Sequence, residues 1–170
     1  AGVVAGEREF HHEEPAHERE QEHELDRLGH LLDDRLYLAH DLADVDCANP
    51  NDCIAVAADG SQLYRTGDAG VSWNAVSPST AAIGGVGYAS ASRVVAVGTG
   101  GATVVSNDAG ATWQTISGGV DGHYRSLIVK SASTAYAFGD LGALARTTDG
   151  GMTWVPVGVS TSSNLLGVDF

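Results

Sequence analysis

The three tryptophans of this chain all stand at the end of the same eight-residue motif, Ser/Thr-x-Asp-x-Gly-x-Ser/Thr-Trp. The motif reads TGDAGVSW over 66–73, SNDAGATW over 106–113 and TTDGGMTW over 147–154. The tryptophans are therefore 40 and 41 residues apart. Self-similarity at a fixed interval near 40 residues is typical of an array in which one supersecondary unit repeats. We name these eight residues the turn motif and predict the fold one repeat at a time.

Each repeat contains four short β-prone runs that are separated by Gly, Asp and Ser. The first run of each repeat has an apolar residue that recurs at intervals of 41, namely Val45, Val86, Leu127 and Val168. Four such runs in each unit describe the four-stranded blade of a β-propeller. The predicted fold is therefore all-β, a partial β-propeller of three four-stranded blades. The predicted blades cover about 42–78, 83–119 and 124–160, with the inner strand of a next blade over 165–170.

The first 41 residues differ in composition from the repeats. They hold 12 of the 22 acidic residues and 6 of the 7 histidines, with a net charge of −8 against −5 for 42–170. Leucines at helical spacing predict one amphipathic helix over about 18–40. Histidines among the carboxylates raise a metal site as an alternative, at His17, His23, His30 and His40. Because no ligand set falls on one helical face, we interpret 1–41 as an acidic, His-rich helical or disordered segment and predict no metal.

Charge and hydropathy exclude two classes of partner. The formal net charge is −13 and no basic stripe is present, so we predict no nucleic-acid binding. No apolar run approaches the roughly 20 residues that cross a bilayer, so we predict no membrane span. No cofactor is predicted.

Each residue type of the turn motif has a physical task in a tight turn between the third and fourth strands of a blade. The Asp carboxylate can accept hydrogen bonds from its own turn, and the Gly can adopt a positive φ. The Trp begins the fourth strand and packs over the hairpin, burying about 150–250 Å². The predicted structural residues are Thr66, Asp68, Gly70, Ser72 and Trp73, then Ser106, Asp108, Gly110, Thr112 and Trp113, then Thr147, Asp149, Gly151, Thr153 and Trp154.

The turn motif and its register resemble the Asp-box, or BNR, repeat family of β-propellers. The resemblance covers about 42–170, and the stretches VGTGGATVVSNDAGATW and FGDLGALARTTDGGMTW look most like the photosystem II assembly and stability factor type of propeller and its bacterial relatives. Sialidases, xyloglucan-cleaving glycosidases and sortilin-type receptors are looser relatives. The Asp box is a structural element in all of them. The resemblance therefore implies no catalytic role for Asp68, Asp108 or Asp149.

The two cysteines take facing positions in the first hairpin of the first repeat. Cys47 ends one strand and Cys53 begins the next, across the loop ANPND. Facing residues of an antiparallel pair approach the Cα separation of about 4.4–6.8 Å that a disulfide needs. We predict a Cys47–Cys53 disulfide and an extracytoplasmic location, secreted or periplasmic. The alternative is a pair of reduced thiols in a cytosolic protein, and two cysteines alone make a poor zinc site.

Propeller ligands usually meet the face opposite the turn motifs, and this expectation comes from the architecture. On that face the loop SGGVDGHYRS brings Asp121, His123, Tyr124 and Arg125 together, with Asp140 above the same blade. We predict that these five residues form a cluster that binds an anion or a polar group. The alternative is a polar turn in which Tyr124 packs between blades and the Arg125 stem lies along apolar surface.

The predicted function is a non-catalytic scaffold that binds a protein or glycan partner, and no catalytic residue is assigned. The alternative is a fragment of a sialidase-like or other glycoside hydrolase. The chain contains no Arg-x-Pro segment, and Arg65 and Arg146 are interpreted as rim residues. A glycosidase of the usual kind also needs two carboxylates across a cleft. Asp59 and Asp140 lie on equivalent turns but two blades apart, which we expect to be too far in a full propeller.

Three blades are too few to close a ring, since propellers close with roughly four to eight. The run LLGVDF matches an inner strand with no other strand after it. We therefore expect this chain to be a fragment of a larger propeller. Its open blade faces are expected to support association between identical chains.

Overall fold

The computed structural model describes residues 41–78, 81–117 and 119–167. Every described residue lies within one compact unit, 38–170. The helix predicted over 18–40 falls outside the described residues. Within the described ranges, no helix is long and apolar enough to cross a membrane.

Twelve strands in the described residues form three four-stranded antiparallel sheets, each with its strands in sequence order. The first sheet contains β1 (Leu42–Cys47), β2 (Cys53–Ala57), β3 (Leu63–Thr66) and β4 (Asn74–Val76). The second contains β5 (Ile83–Tyr88), β6 (Val94–Gly98), β7 (Thr103–Ser106) and β8 (Gln114–Thr115). The third contains β9 (Tyr124–Val129), β10 (Ala135–Gly139), β11 (Leu144–Thr147) and β12 (Val155–Pro156). The predicted all-β fold class, three four-stranded blades of a partial propeller, is confirmed.

Single-turn 3₁₀ segments connect the second and third strands in the second and third sheets, at Thr99–Gly101 and Asp140–Gly142. The equivalent turn of the first sheet is one residue longer, because β2 ends at Ala57 and β3 begins at Leu63. Counting ten residues back from each motif aspartate predicts that Ala58 is equivalent to Gly98 and Gly139, and this prediction is wrong by one residue in the first sheet. The strand bounds pair Ala57 with those glycines, which explains why the tryptophan intervals are 40 and 41.

Two apolar clusters join the three sheets. The first contains Ile54, Val56 and Leu63 of the first sheet with Val86, Val94, Ala96 and Val104 of the second. The second contains Val95, Val97 and Val105 of the second sheet with Leu127, Ala135, Ala137 and Ala145 of the third. Successive residues of a strand point to opposite faces, so β6 packs against both neighbours and all five of its residues are buried. This two-sided burial explains why VVAVG shows no polar alternation.

The inner strands β5 and β9 approach so closely that glycine is required between them. A Cβ built on Gly85 would lie 2.6 Å from the Cα of Ser126 and 2.7 Å from the amide nitrogen of Leu127. Both contacts are with backbone, which cannot rotate away.

The inner strand predicted over 165–170 is described only as far as residue 167. Residues 165–167 are assigned to no strand, and 168–170 lie outside the described ranges. The Leu165 amide donates to the Gly139 carbonyl at 2.8 Å, much as Ile83 at the start of β5 donates to Gly60 at 2.9 Å. Leu165 therefore crosses the end of the third sheet where a following inner strand would begin.

Candidate functional site

The turn motif is held together by a carboxylate that accepts hydrogen bonds on both oxygens. In the first motif, Oδ1 of Asp68 accepts from the Thr66 hydroxyl at 2.8 Å and from the Ser72 amide at 2.9 Å. Oδ2 accepts from the Ser72 hydroxyl at 2.6 Å. The Thr66 hydroxyl oxygen in turn accepts from the Gly70 amide at 3.0 Å. The same pattern recurs around Asp108 and Asp149.

The backbone of the motif needs two successive residues in the left-handed region. The residue after the Asp has φ values of 61° at Ala69, 57° at Ala109 and 70° at Gly150. The motif glycines follow with 82°, 89° and 88° at Gly70, Gly110 and Gly151. In the second motif the Trp113 indole nitrogen donates to the Gly110 carbonyl at 3.0 Å, so the ring lies over its own turn. Trp154 of the third motif is buried.

These hydrogen bonds keep the motif carboxylates ionised. Hydrogen bonds from Ser72 lower the pKa of Asp68 to about 2, and those from Thr112 lower the pKa of Asp108 to about 2. Burial raises the pKa of Asp149, but hydrogen bonds from Thr153 and Thr147 outweigh it and bring the pKa to about 2. Groups with such pKa values cannot act as proton donors near neutral pH, which agrees with a structural role.

The first hairpin is closed by a disulfide. The Sγ atoms of Cys47 and Cys53 are 2.03 Å apart, and their Cα atoms are 4.0 Å apart. The two residues face each other in the register of β1 and β2. The disulfide predicted from their facing positions is confirmed.

On the face opposite the turn motifs, Arg125 and Asp140 form an ion pair. The Arg125 Nη2 atom donates to Oδ2 of Asp140 at 2.8 Å, and Nε donates to Oδ1. The hydrogen bond from Arg125 lowers the pKa of Asp140, and the charge of His123 adds to this effect. The Asp140 side chain is 21% exposed and that of Arg125 is 63% exposed. Arg125, Asp140 and His123 of the predicted cluster therefore lie together, but the Arg125 guanidinium is already paired with the Asp140 carboxylate.

Tyr124 is buried and lines the same pocket as the ion pair, whereas Asp121 is exposed. Tyr124 is 4% exposed and belongs to the apolar cluster between the second and third sheets. Burial raises the pKa of its phenol, and the charge of Asp121 raises it further. The alternative in which Tyr124 packs between blades is therefore correct for this residue. The Arg125 guanidinium is paired with Asp140.

A pocket of about 200 Å³ lies beside the ion pair, and we name it the polar pocket. All three sheets contribute to it, because the β2–β3 turn, the start of β5 and the start of β9 meet there. Its polar and turn residues include Asp59, Gly60, Thr99, His123, Arg125 and Asp140. Asp59 and Asp140 belong to the first and third sheets and were expected to lie too far apart to act as a pair, but both line this pocket.

A second, larger groove of about 430 Å³ runs along the inner strands, and it was not predicted from the sequence. Asp44 and Asp46 of β1 cross to the second sheet, where their carboxylates accept from the amides of Val86 at 3.0 Å and Tyr88 at 2.6 Å. Burial raises the pKa of Asp44, although the bond from Val86 partly offsets it. A sequence signal for this groove was present in LADVDC, where two aspartates alternate with apolar residues. The second repeat has glycines, Gly85 and Gly87, at the equivalent positions.

Within the described ranges, no group of three or more His, Cys, Asp or Glu side chains is arranged to hold a metal ion. The histidines considered for a metal site at 17, 23, 30 and 40 lie outside those ranges.

No known protein-family model and no curated protein matches this sequence. Solved structures do match its fold. YCF48 bound to a D1 peptide aligns with a TM-score of 0.61 and 20% identity, over 72% of this chain and 42% of that chain. YCF48 from Cyanidioschyzon merolae aligns with a TM-score of 0.59 and 21% identity, over 72% and 41% of the two chains. An ancestral GH74 enzyme aligns with a TM-score of 0.58 and 17% identity, over 70% and 18%.

The chain spans less than half the length of each of these three proteins. At such low identity the likeness establishes the fold alone.

Proposed function

We propose that this chain is a non-catalytic β-propeller module of the Asp-box type whose polar pocket binds a segment of a protein partner. The observation that carries the proposal is the meeting of three sheets around one pocket with the Arg125–Asp140 pair at its edge. The similar YCF48 structure holds a D1 peptide, which supports a polypeptide as the class of ligand.

The charge arrangement of the pocket favours a polypeptide over a free anion. Two nitrogens of Arg125 already bind Asp140, so the pair is neutral and offers donors and acceptors side by side. A polypeptide backbone presents both N–H and C=O groups and can bond to such a pair. An isolated anion would have to compete with Asp140 for the same guanidinium. A glycan, which also carries donors and acceptors, is the other ligand of this class.

Selection from a random peptide library tests this proposal. The immobilised chain is used to select peptides, whose affinities are then measured by fluorescence polarisation. We expect Arg125→Gln and His123→Ala to weaken binding about tenfold, the loss of roughly one hydrogen bond to a charged group. Lys130→Gln is the matched control, because it removes one cation beyond the opposite end of β9. Equal affinity for all variants would exclude the polar pocket, and binding only on a glycan array would favour a glycan partner.

A glycoside hydrolase is the second candidate function, and likeness to a GH74 enzyme is the observation that favours it. Its general acid needs a raised pKa, whereas Arg125 lowers the pKa of Asp140. Asp140 is therefore poorly suited to donate a proton. Turnover of any substrate in a panel of sialosides and β-glucans, lost in Asp140→Asn, would overturn the non-catalytic proposal.

We also propose an extracytoplasmic location, secreted or periplasmic. The Cys47–Cys53 disulfide supports it, because structural disulfides persist mainly in oxidising compartments. Alkylation of denatured, unreduced protein from its native host is the check. Labelling of both thiols would contradict the proposed location.

A further inference from the structure

Neighbouring sheets are joined twice by an arginine that binds a turn-motif carbonyl. The Arg65 Nε atom of the first sheet donates to the Ala109 carbonyl of the second at 2.7 Å. Arg93 of the second sheet donates to the Gly150 carbonyl of the third from Nε at 2.8 Å and from Nη2 at 2.6 Å. Both acceptors directly follow the motif Asp. The same carbonyl of the motif is thus used each time by the preceding sheet.

An apolar contact accompanies each of these hydrogen bonds. A Cβ built on Gly110 would lie 2.9 Å from Cδ1 of Ile54, and one built on Gly151 would lie 2.8 Å from Cγ1 of Val95. Ile54 and Val95 belong to the preceding sheet in each case. The repeating contact therefore has two halves, a receiving half of an arginine with an aliphatic side chain, and an inserting half of a motif carbonyl with its glycine.

The third sheet carries a receiving half in which Tyr136 stands in place of the aliphatic side chain. Arg146 stands opposite Tyr136 in the β10–β11 register, as Arg65 stands opposite Ile54 in the β2–β3 register. The Arg146 guanidinium carbon lies 5.9 Å from the centroid of the Tyr136 ring, and the residue is exposed. Among the described residues, Arg146 donates no hydrogen bond to a motif carbonyl.

The first sheet carries an inserting half. Ala69 has the same positive φ as Ala109 but is exposed, and no other described residue donates to its carbonyl. A Cβ built on Gly70 would meet only Trp73 of its own turn. The ionised carboxylate of Asp68 stands next to this carbonyl, so the charge at this end is complementary to Arg146.

We propose that the third sheet of one copy of this chain binds the turn motif of the first sheet of a second copy, with the Arg146 guanidinium donating to the Ala69 carbonyl. The contact goes beyond the proposed peptide binding and uses the end of the third sheet away from the polar pocket. It is heterologous, because each copy supplies a different half. Such contacts extend into chains, or into rings where the rotation closes.

Sedimentation velocity of the full chain over a range of concentrations tests the proposal. We expect the wild type to form species larger than a monomer as concentration rises. Arg146→Glu removes the donor, and Ala69→Asn keeps the acceptor carbonyl but adds a larger side chain beside it. Each should therefore raise the concentration of half-assembly about tenfold or more. Asparagine tolerates the left-handed backbone of Ala69, and Arg146 is exposed, so neither variant disturbs a buried contact. Arg125→Gln is the matched control for loss of a cation, because Arg125 lies beside the polar pocket at the other end of the third sheet, and it should assemble as the wild type does.

Mixing the two variants separates this contact from other modes of assembly. Arg146→Glu retains an intact first sheet and Ala69→Asn retains an intact third sheet. The mixture should therefore yield a 1:1 dimer that cannot extend. A wild type that stays monomeric, an Arg146→Glu variant that assembles like the wild type, or a mixture without dimer would each overturn the proposal. Circular dichroism verifies the fold of both variants, and if Ala69→Asn fails to fold, Arg146→Glu alone decides.

Discussion

At the scale of single residues, the aspartates of this chain differ because their partners differ. Asp108 accepts hydrogen bonds from the Ser106 hydroxyl and from the amide and hydroxyl of Thr112. Asp140 accepts from a guanidinium. Burial raises the pKa of Asp44 although two backbone amides donate to it, whereas hydrogen bonds lower the pKa values of Asp108 and Asp140. Burial and hydrogen-bond partners together therefore decide which carboxylates stay charged in acid.

The turn-motif carboxylates predict a loss of stability in acid. Their pKa values are about 2 in the folded chain, below the ordinary value of 3.8. A carboxylate with a lowered folded pKa stabilises the fold above its ordinary pKa, and this contribution is lost as the pH falls through the folded value. The free energy of unfolding should therefore decrease between about pH 4 and about pH 2. Asp44 opposes this trend, because burial favours its protonated form.

Urea unfolding followed by tryptophan fluorescence at a series of pH values measures this dependence. Asp108→Asn should give a shallower decrease than the wild type, because its side chain can still accept a hydrogen bond but cannot titrate. Asp108→Asn combined with Asp149→Asn should be shallower again. Curves parallel to the wild type would show that the motif carboxylates do not control the acid response.

At the scale of the element, the first hairpin has both a hydrogen-bonded turn and a disulfide. The Ala48 amide donates to the Asp52 carbonyl at 2.9 Å, and Ala89 donates to Arg93 in the second sheet at 2.8 Å. The turns are therefore closed alike, and the disulfide is an addition at the first sheet alone among the described hairpins. It fixes β1, an inner strand with Val45 57% exposed.

Removing the disulfide should destabilise the chain without changing its fold. Closing a loop of this length restricts the unfolded chain by about 2 kcal/mol at 25 °C. We expect Cys47→Ser combined with Cys53→Ser to lower the free energy of unfolding by about that amount. Reduction of the wild type should give the same loss and should leave the double variant unchanged. A reductant that has no effect on wild-type stability would contradict this expectation.

All three four-stranded sheets could be predicted from the sequence, because the interval between the tryptophan motifs and the short apolar runs can be read directly from the order of the residues. It also predicted that His123, Arg125 and Asp140 lie together, since two loops of one blade carry them. It did not predict the carbonyl that Arg65 binds or the amides that Asp44 and Asp46 bind. Those contacts join different sheets, and a single sequence carries no direct signal for the distance between sheets. The one-residue insertion between β2 and β3 was missed for a related reason, because an irregular turn leaves the apolar pattern intact.

At the scale of the whole molecule, the distance between neighbouring sheets depends on positions in the inner strands where the side chain is absent or small. Ala or Gly stands at several contact points, and β9 lies against the glycines of β5. Gly85 is buried, and any side chain there would meet the backbone of Ser126 and Leu127. The chain can add a side chain at this point only by moving two sheets apart.

Gly85→Ala tests this close approach against a matched control. The new Cβ would lie 2.6 Å from the Cα of Ser126, so the second and third sheets must separate and the apolar cluster between them loses contact. Overpacking of this kind costs roughly 1–3 kcal/mol, and we expect a loss at the upper end of that range because both partners are backbone. Gly158→Ala is the control, since a Cβ there meets nothing within 4 Å. It should be neutral or stabilise the chain by up to about 1 kcal/mol, because alanine restricts the unfolded state. Urea unfolding of both variants gives the two values, and equal stabilities would mean that β5 and β9 do not depend on glycine for their separation.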